Sequence, residues 1–199
     1  SESPTAHVES LKVTLALLPT LGFRPKKMDI SSAFLQGKSL SRAVYVKPPP
    51  EAEVDENKCW MLLKGAYGLT DASRMWYDRV NEVLLQGNYQ RSSVDPALYF
   101  KYSKGGDIVG IILVHVDDFL YSGTGNEVIL MQDLMKQNFD VRTIEENKFI
   151  FCGFEIELID VGNDGEFKIS FSQPRKICNI TPVKIEQNSP SAYANKREE

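Results

Sequence analysis

The chain has 199 residues, 42% of them hydrophobic and 25% charged, which is the composition of one globular domain rather than of a fibrous or disordered chain. No apolar run approaches the ~20 residues that span a bilayer, so we expect a soluble domain. Three cysteines with two histidines favour neither a disulfide framework nor a His/Cys metal cage. We therefore expect an intracellular domain in which any metal binds carboxylates. The net charge of −4 argues mildly against a nucleic-acid partner, although Lys and Arg outnumber Asp and Glu by nine to seven over residues 1–70.

The first third of the chain predicts one helix and the start of a sheet. Apolar residues recur every three to four positions over 8–18, which predicts an amphipathic helix ended by Pro19 and Gly22. The residues before Gly37 predict a turn or short helix closed by that glycine, and the proline-rich and acidic stretch 48–56 predicts an exposed connection. Three β-rich runs are expected to form strands of one sheet: 27–30, 44–46 and 60–63.

The remainder of the chain predicts two more helices and further strands. Thr70 or Asp71 is expected to cap a helix that stops at Gly87, and a third helix is predicted over 126–139. The class is therefore α+β, and the polar stretch from 186 onward is expected to fray. Five strands are predicted in this part of the chain: 97–102, 108–114, 119–121, 149–158 and 167–171. Two adjacent glycines between the first two of them predict a hairpin turn.

Two adjacent aspartates follow the most apolar of these strands. Asp117 and Asp118 come shortly after 108–114, and an isolated pair of this kind is most often a solvated turn. Asp29 also lies at the end of a β-rich run, so the three carboxylates converge if the two strands lie side by side. Ligands that are all oxygen suit Mg²⁺, and two such ions support the in-line phosphoryl displacement of nucleotidyl transfer.

Four motifs, in order, resemble those of reverse transcriptases encoded by copia-type LTR retrotransposons. Residues 27–37 resemble the family's first catalytic motif, and 63–77 resemble its Tyr-Gly-Leu segment. Residues 115–118 resemble its Tyr-Val-Asp-Asp box, with His115 where the family has Tyr or Phe, and 151–156 resemble its Phe-Leu-Gly strand. The resemblance covers about residues 3–178 and implies a reverse transcriptase domain of a Pol polyprotein, truncated at both ends.

The resemblance implies a right-hand polymerase palm with incomplete fingers, in which an antiparallel sheet packs on helices. Residues 1–172 would form the palm and partial fingers, and 173–199 the start of the thumb connection and a polar tail. Two Mg²⁺ ions, or Mn²⁺ in their place, would bind the implied catalytic and metal-binding residues Asp29, Asp117 and Asp118. The implied nucleotide-binding residues are Ile30, Ser32, Ala33, Phe34, Tyr67 and Gly68. The implied primer-binding residues are His115, Val116, Gly153 and Phe154.

The implied activity is that of an RNA-directed DNA polymerase, which extends a primer on an RNA or DNA template with deoxynucleoside triphosphates. Further implied partners are the other domains of a Pol polyprotein, such as integrase and ribonuclease H, and no membrane. The implied location is intracellular, in a cytoplasmic virus-like particle or in the nucleus. An alternative is an inactive or domesticated palm fragment that binds nucleic acid or protein. It is favoured by the family's missing upstream basic stretch, by His115 in place of the family's Tyr or Phe, and by Asp71, which puts negative charge near a nucleic-acid path.

Several residues near these motifs have an ordinary structural interpretation. Trp76 and Tyr77 recur at helical spacing and are expected in the core. Lys26 and Lys27 flank the first motif and are expected to touch backbone phosphate or to be solvated. The adjacent carboxylates at 145–146 are expected to be solvated only.

Overall fold

The structure is a computed structural model that describes residues 4–55, 57–162 and 165–173. Within these residues the chain forms three α-helices, α1 (Val8–Leu21), α2 (Ala72–Gln86) and α3 (Gly125–Asn138). A 3₁₀ turn at Ala33–Gln36 follows the first strand, and a second one lies at Pro50–Ala52. The strands are β1 (Lys26–Ile30), β2 (Ser39–Val46), β3 (Trp60–Lys64), β4 (Gln90–Arg91), β5 (Leu98–Tyr102), β6 (Ile108–His115), β7 (Asp118–Gly123), β8 (Val141–Glu146), β9 (Lys148–Phe151), β10 (Phe154–Val161) and β11 (Glu166–Ser172).

The strands form three antiparallel sheets, so the fold is mixed α and β. The central sheet has six strands in the order β4-β5-β6-β7-β1-β8. Strands β11, β10 and β9 form a three-stranded sheet, and β2 pairs with β3 alone in a two-stranded ribbon. The expectation that 60–63 resume the main sheet is therefore wrong, because β3 pairs with β2 in a separate two-stranded sheet.

The hydrophobic core lies against the middle strands of the central sheet. Strand β6 is buried continuously from Gly110 to Val114, and β7 from Phe119 to Gly123. Both faces of these two strands are therefore covered, which explains their nearly uninterrupted apolar sequences. Helix α2 contributes the fully buried Trp76, Val80 and Leu84 to the same core. Asp117 and Asp118 thus stand where the two most deeply buried strands meet.

Helix α1 continues through Pro19 and ends two residues later. Phe23 N–H donates to Leu18 O at 2.9 Å, Gly22 N–H donates to Pro19 O at 3.1 Å, and Gly22 has a φ of 67°. This is a Schellman cap, and the left-handed residue ends the helix. The predicted stop at Gly22 is confirmed, whereas Pro19 does not end the helix, because a proline in the last turn removes only one intrahelical hydrogen bond.

Helix α2 begins one residue after Asp71, but the predicted cap is not formed. Asp71 has right-handed helical backbone angles, and its side chain makes no hydrogen bond to the helix N-terminus. Its two carboxylate oxygens instead accept hydrogen bonds from Arg42 at 3.2 Å each. The side-chain hydrogen bond from Arg42 therefore holds the pKa of Asp71 below its usual range.

The predicted strand 149–158 is a hairpin of two strands. Cys152 and Gly153 have φ angles of 51° and 78°, and they reverse the chain so that Phe151 lies opposite Phe154. The apolar sequence continues through this turn, so the pattern alone does not reveal it. Strands β4 and β8 were not predicted either, because their residues are mostly polar.

Two predictions fall on residues that the structure does not describe. The thumb connection and polar tail assigned to 173–199 lie outside the described residues, apart from Gln173, as does the fraying expected from 186 onward. Among the residues that are described, no helix combines the length and the apolar character needed to cross a membrane.

Candidate active site

The pairing of β1 with β7 brings Asp29 next to the Asp117–Asp118 pair. Asp29 lies directly opposite Asp118 in the antiparallel register. Ile30 N–H donates to Asp117 O at 3.0 Å, so the end of β1 is also hydrogen-bonded to the turn that precedes β7. Side chains directly opposite each other in an antiparallel pair project from the same face, so Asp29 and Asp118 share one face of the sheet.

The β6–β7 turn, residues 115–118, has a strained backbone. Val116 has a φ of 58°, a left-handed conformation that β-branched residues rarely adopt. Trp76 Nε1 donates to Val116 O at 2.6 Å, and the Trp76 ring packs edge-on against Phe139 at 4.9 Å. The turn is therefore fixed by α2, and strain of this kind persists where surrounding structure holds it, often at functional sites.

Asp29 has a buried oxygen without a hydrogen-bond partner. Within the part of the chain that the structure describes, Asp29 Oδ1 is shielded from solvent and accepts no hydrogen bond. Arg142 Nη1 lies 4.0 Å away, but the Arg142 side chain is 72% exposed. A buried carboxylate oxygen in this state is costly unless a cation compensates it, so this atom suits a cation ligand.

Asp118 is compensated by a lysine of the neighbouring strand. Lys27 Nζ lies 3.0 Å from Asp118 Oδ1 and 3.1 Å from Glu145 Oε1, and its side chain is only 14% exposed. Lys27 therefore joins β7 to β8 across β1.

The pKa directions of this pair follow from the number of charges around each group. Partial burial alone lowers the pKa of Lys27, but the hydrogen bonds and charges of Asp118 and Glu145 outweigh it, and the net pKa is raised. Burial raises the pKa of Asp118, and the charges of Asp117 and Asp29 add to that effect. The opposing hydrogen bond and charge of Lys27 do not fully offset them. The single positive charge of Lys27 therefore cannot neutralise all the carboxylates around it.

Sequence reasoning did not identify Lys27 as part of this site. Lys27 was expected either to contact backbone phosphate or to be solvated. The second alternative is wrong, because the side chain is largely buried between two carboxylates. The expectation that 145–146 are merely solvated is also wrong, since Glu145 pairs with Lys27 and Glu146 with Lys26. A signal was present: Lys27 precedes Asp29 by two positions and therefore shares its face of the strand.

The residues expected to bind nucleotide fall into two groups by exposure. Ile30 and Ala33 are buried in the core. Phe34 is half-buried in the 3₁₀ turn, and its ring packs edge-on against the exposed Tyr67 at 4.8 Å. Ser32 and Gly68, with φ angles of 45° and 92°, flank the two aromatic residues.

Two further glycines bring this turn close to α2. A Cβ on Gly37 would lie 3.1 Å from Trp76 N, and one on Gly65 would lie 3.0 Å from Ala72 Cβ. Both would also approach Phe34 O, at 3.3 and 3.2 Å. The absence of side chains at these positions therefore lets the 3₁₀ turn pack directly on the first turns of α2.

The residues expected to bind the primer come from two turns. His115 of the β6–β7 turn packs edge-on against Phe151, with ring centroids 6.1 Å apart. Its Nδ1 is buried and has no hydrogen-bond partner among the described residues. Phe154 is buried and stacks on Phe171 at 4.2 Å. Burial and then the charge of Asp118 raise the pKa of the Cys152 thiol to about 12.

The donor set around Asp29 fits an oxygen-ligated divalent cation. Within the described residues no group of three or more His, Cys, Asp and Glu side chains is already arranged to hold a metal. Mg²⁺ does not require such a cage, because it binds through one or two carboxylates with water and substrate phosphates. Neither Asp29 Oδ1 nor Asp118 Oδ1 accepts a hydrogen bond within the described residues, but the ammonium group of Lys27 lies 3.0 Å from Asp118 Oδ1, whereas the guanidinium of Arg142 lies 4.0 Å from Asp29 Oδ1. Asp29 and the neighbouring Asp117 carboxylate therefore match that requirement better than Asp118 does.

Comparison with known proteins gives consistent matches over most of the chain. A family model described as reverse transcriptase (RNA-dependent DNA polymerase) matches residues 1–171. The chain is 33% identical over 184 residues to a retrovirus-related Pol polyprotein from transposon RE1 of Arabidopsis thaliana, covering 89% of the chain and 12% of that protein. It is 32% identical over 146 residues to one from transposon TNT 1-94 of Nicotiana tabacum, covering 71% and 11%. The chain thus spans about a tenth of the length of these relatives.

Proposed function

Because the chain belongs to the reverse transcriptase (RNA-dependent DNA polymerase) family, we propose that it supplies the catalytic core of a copia-type RNA-directed DNA polymerase. The observation that carries this proposal is the position of Asp29 directly opposite Asp118, with Asp117 in the adjoining turn. Carboxylates gathered at one end of a buried sheet are what two-metal nucleotidyl transfer requires of a protein.

Asp29 and Asp117 hold the catalytic ions in this proposal. When bound, a pair of Mg²⁺ ions activates the primer 3′-hydroxyl and stabilises the charge on the transferred phosphoryl group. Asp29 supplies a buried oxygen that accepts no hydrogen bond from the described residues. Asp118, paired with Lys27, contributes negative charge rather than a free ligand. The strained β6–β7 turn keeps Asp117 in place through the hydrogen bond between Trp76 and Val116.

The surrounding residues bind the two substrates. The half-buried ring of Phe34, supported by Tyr67, packs beneath the sugar of the incoming deoxynucleoside triphosphate. Gly68 offers backbone without a side chain to the base pair being formed. His115 and Val116 on one turn, and Gly153 and Phe154 on the other, steady the primer terminus on its RNA or DNA template. Linkage to other Pol domains and an intracellular location, in a virus-like particle or in the nucleus, are part of the proposal.

Primer extension tests this function. The chain is incubated with an RNA template, a DNA primer, deoxynucleoside triphosphates and Mg²⁺, beside its Asp117→Asn and Asp133→Asn variants. Asp133 is an exposed aspartate of α3 and serves as the matched control. We expect Asp117→Asn to lower incorporation at least about 100-fold and Asp133→Asn to leave it unchanged. Equal incorporation by Asp117→Asn would contradict the assignment.

A second candidate is an inactive fragment that binds nucleic acid or protein. It is favoured by the pairing of Asp118 with Lys27, which leaves that carboxylate less available to a cation. Asp71 gives it less support than its charge suggests, because Arg42 pairs with it. Absence of incorporation by the unmodified chain, together with retained binding of the primed template, would favour this candidate.

A further inference from the structure

Lys27 is the most enclosed cation at the candidate active site. It projects from β1 between β7 and β8, and its ammonium group lies 3.0 Å from Asp118 Oδ1 and 3.1 Å from Glu145 Oε1. The neighbouring Lys26 pairs instead with Glu146 and lies opposite Tyr121. Lys27 is thus the lysine of this strand that contacts the aspartate cluster.

The charges around the site do not balance without Lys27. Asp29, Asp117 and Asp118 lie close enough to interact electrostatically, and Glu145 adds a fourth carboxylate. The other cation near Asp29 in the described structure is Arg142, which is 4.0 Å away and mostly exposed. An enclosed positive charge acts more strongly than a solvated one, because water screens it less.

We propose that Lys27 is a positioning residue that holds the Asp118 carboxylate away from Asp29 and Asp117 and lowers the affinity of the free protein for divalent cations. This inference rests on the proposed function, since it takes Asp29 and Asp117 as the metal ligands. Lys27 acts in two ways: it occupies the oxygen of Asp118 that would otherwise bind an ion, and it repels any cation entering the cluster.

The consequence concerns the order in which metal and nucleotide bind. A site that combines three aspartates with an internal ammonium group attracts a bare divalent cation less than three free aspartates do. A triphosphate brings additional negative charge and oxygen ligands, and so favours metal binding in its presence. Lys27 thereby couples metal binding to the arrival of the nucleotide.

Metal binding by the full 199-residue chain tests the proposal without relying on polymerase activity. The probe is Mn²⁺ alone, titrated against the protein and followed by the electron paramagnetic resonance signal of free Mn²⁺. We expect Lys27→Gln to lower the Mn²⁺ dissociation constant about tenfold, because it removes the charge and frees Asp118. Lys27→Arg retains the charge and is expected to stay close to the unmodified chain. Lys26→Gln is the matched control and is expected to have no effect.

A double-variant comparison separates positioning from a simple change in charge. In an Asp118→Asn background the gain from Lys27→Gln should largely disappear, because no carboxylate remains to be released. The same tenfold gain in both backgrounds would overturn the positioning role, and so would unchanged or weaker Mn²⁺ binding by Lys27→Gln. If Lys27→Gln does not fold, the Lys27→Met, Glu145→Gln double variant removes the ammonium group together with one of its partners and gives the same measurement.

Failure of the proposed function has a different signature. Asp29→Asn and Asp117→Asn should each weaken Mn²⁺ binding in any Lys27 background. If neither does, the metal site itself is wrongly assigned. If both do while Lys27→Gln is silent, only the role of Lys27 is overturned.

Discussion

The central sheet and the β2–β3 ribbon distribute polar and apolar side chains in opposite ways. The sheet encloses the charged residues Asp29, Asp118 and Lys27 at its middle strands. The ribbon exposes the large apolar side chains of Tyr45, Met61 and Leu63. A two-stranded ribbon without a core is marginally stable by itself, so the stability of the domain must come mainly from the sheet and its helices. The packing of the central sheet therefore offsets the unfavourable free energy of burying these charges.

The two tryptophans of the chain allow this difference to be measured directly. Trp76 of α2 is 1% exposed and packs under the β6–β7 turn, whereas Trp60 of β3 is 45% exposed. We expect Trp76→Ala to lower the free energy of unfolding by about 3–5 kcal/mol, the range for emptying a buried aromatic site. Trp60→Ala should cost less than about 1 kcal/mol. Urea unfolding followed by circular dichroism gives both values, and losses of similar size would contradict the comparison.

The same contrast explains which parts of the fold could be predicted from the sequence. Helix α3 and the β5–β6 hairpin follow from apolar spacing and from the glycine pair, because local residues determine them. Strand β8 escaped prediction because its Arg, Thr and Glu residues indicate a solvated segment, and only the register with β1 gives those charges partners. The sequence predicts the strands of the ribbon but places them in the main sheet, because the apolar pattern of a strand does not identify the strand with which it pairs.

The candidate site shows the same limit. Asp29 and the Asp117–Asp118 pair can be selected from sequence because carboxylates at strand ends are conspicuous. Their proximity needs the additional fact that β1 and β7 are adjacent, which the structure supplies. The pairing of Lys27 with Asp118 and Glu145 depends on three strands at once, and no local pattern encodes it.

Buried and exposed carboxylates away from the site sharpen the comparison. Asp95 is fully buried, and its two oxygens accept hydrogen bonds from His7 N–H at 3.0 Å and Ala97 N–H at 2.9 Å. It thereby ties the start of α1 to the segment before β5. Asp71, beside the ribbon, forms an exposed ion pair with Arg42.

We expect Asp95→Asn to lower the free energy of unfolding by about 2 kcal/mol at pH 7, because the amide turns one acceptor into a donor that faces a backbone N–H. Asp71→Asn should leave the stability almost unchanged, since exposed ion pairs contribute little. Chemical unfolding of both variants checks this. Equal losses of unfolding free energy in the two variants would show that the exposed Asp71–Arg42 ion pair stabilises the chain as much as the hydrogen bonds of Asp95 do.

The effect of Asp95→Asn should depend on pH in a definite direction. Burial opposes ionisation, but hydrogen bonds from Ser10, His7 and Ala97 prevail and hold the pKa of Asp95 below its ordinary value of 3.8. The ionised group therefore contributes stability that is fully present above that value and is lost as pH falls through the lower pKa of the folded state. We expect the difference in the free energy of unfolding between the unmodified chain and Asp95→Asn to be constant from about pH 5 to 8 and to narrow below about pH 4. A difference that grew on acidification would contradict this assignment.

The smallest expected effect tests whether the β6–β7 turn stores backbone strain. Replacing a valine by glycine in a sheet normally removes buried apolar surface and adds chain entropy to the unfolded state. At Val116 the positive φ offsets these losses, because glycine adopts that conformation freely and relief of such strain is worth about 1–3 kcal/mol. Val116→Gly should therefore change the free energy of unfolding by less than about 1 kcal/mol, whereas Val114→Gly, at a buried position of β6, should cost about 3 kcal/mol or more. Exposed Glu53, which also has a positive φ, provides the reference near the ribbon, where glycine should relieve strain without losing buried surface. If Val116→Gly were as costly as Val114→Gly, the turn would be relaxed, and the hydrogen bond from Trp76 would not be needed to hold a strained conformation.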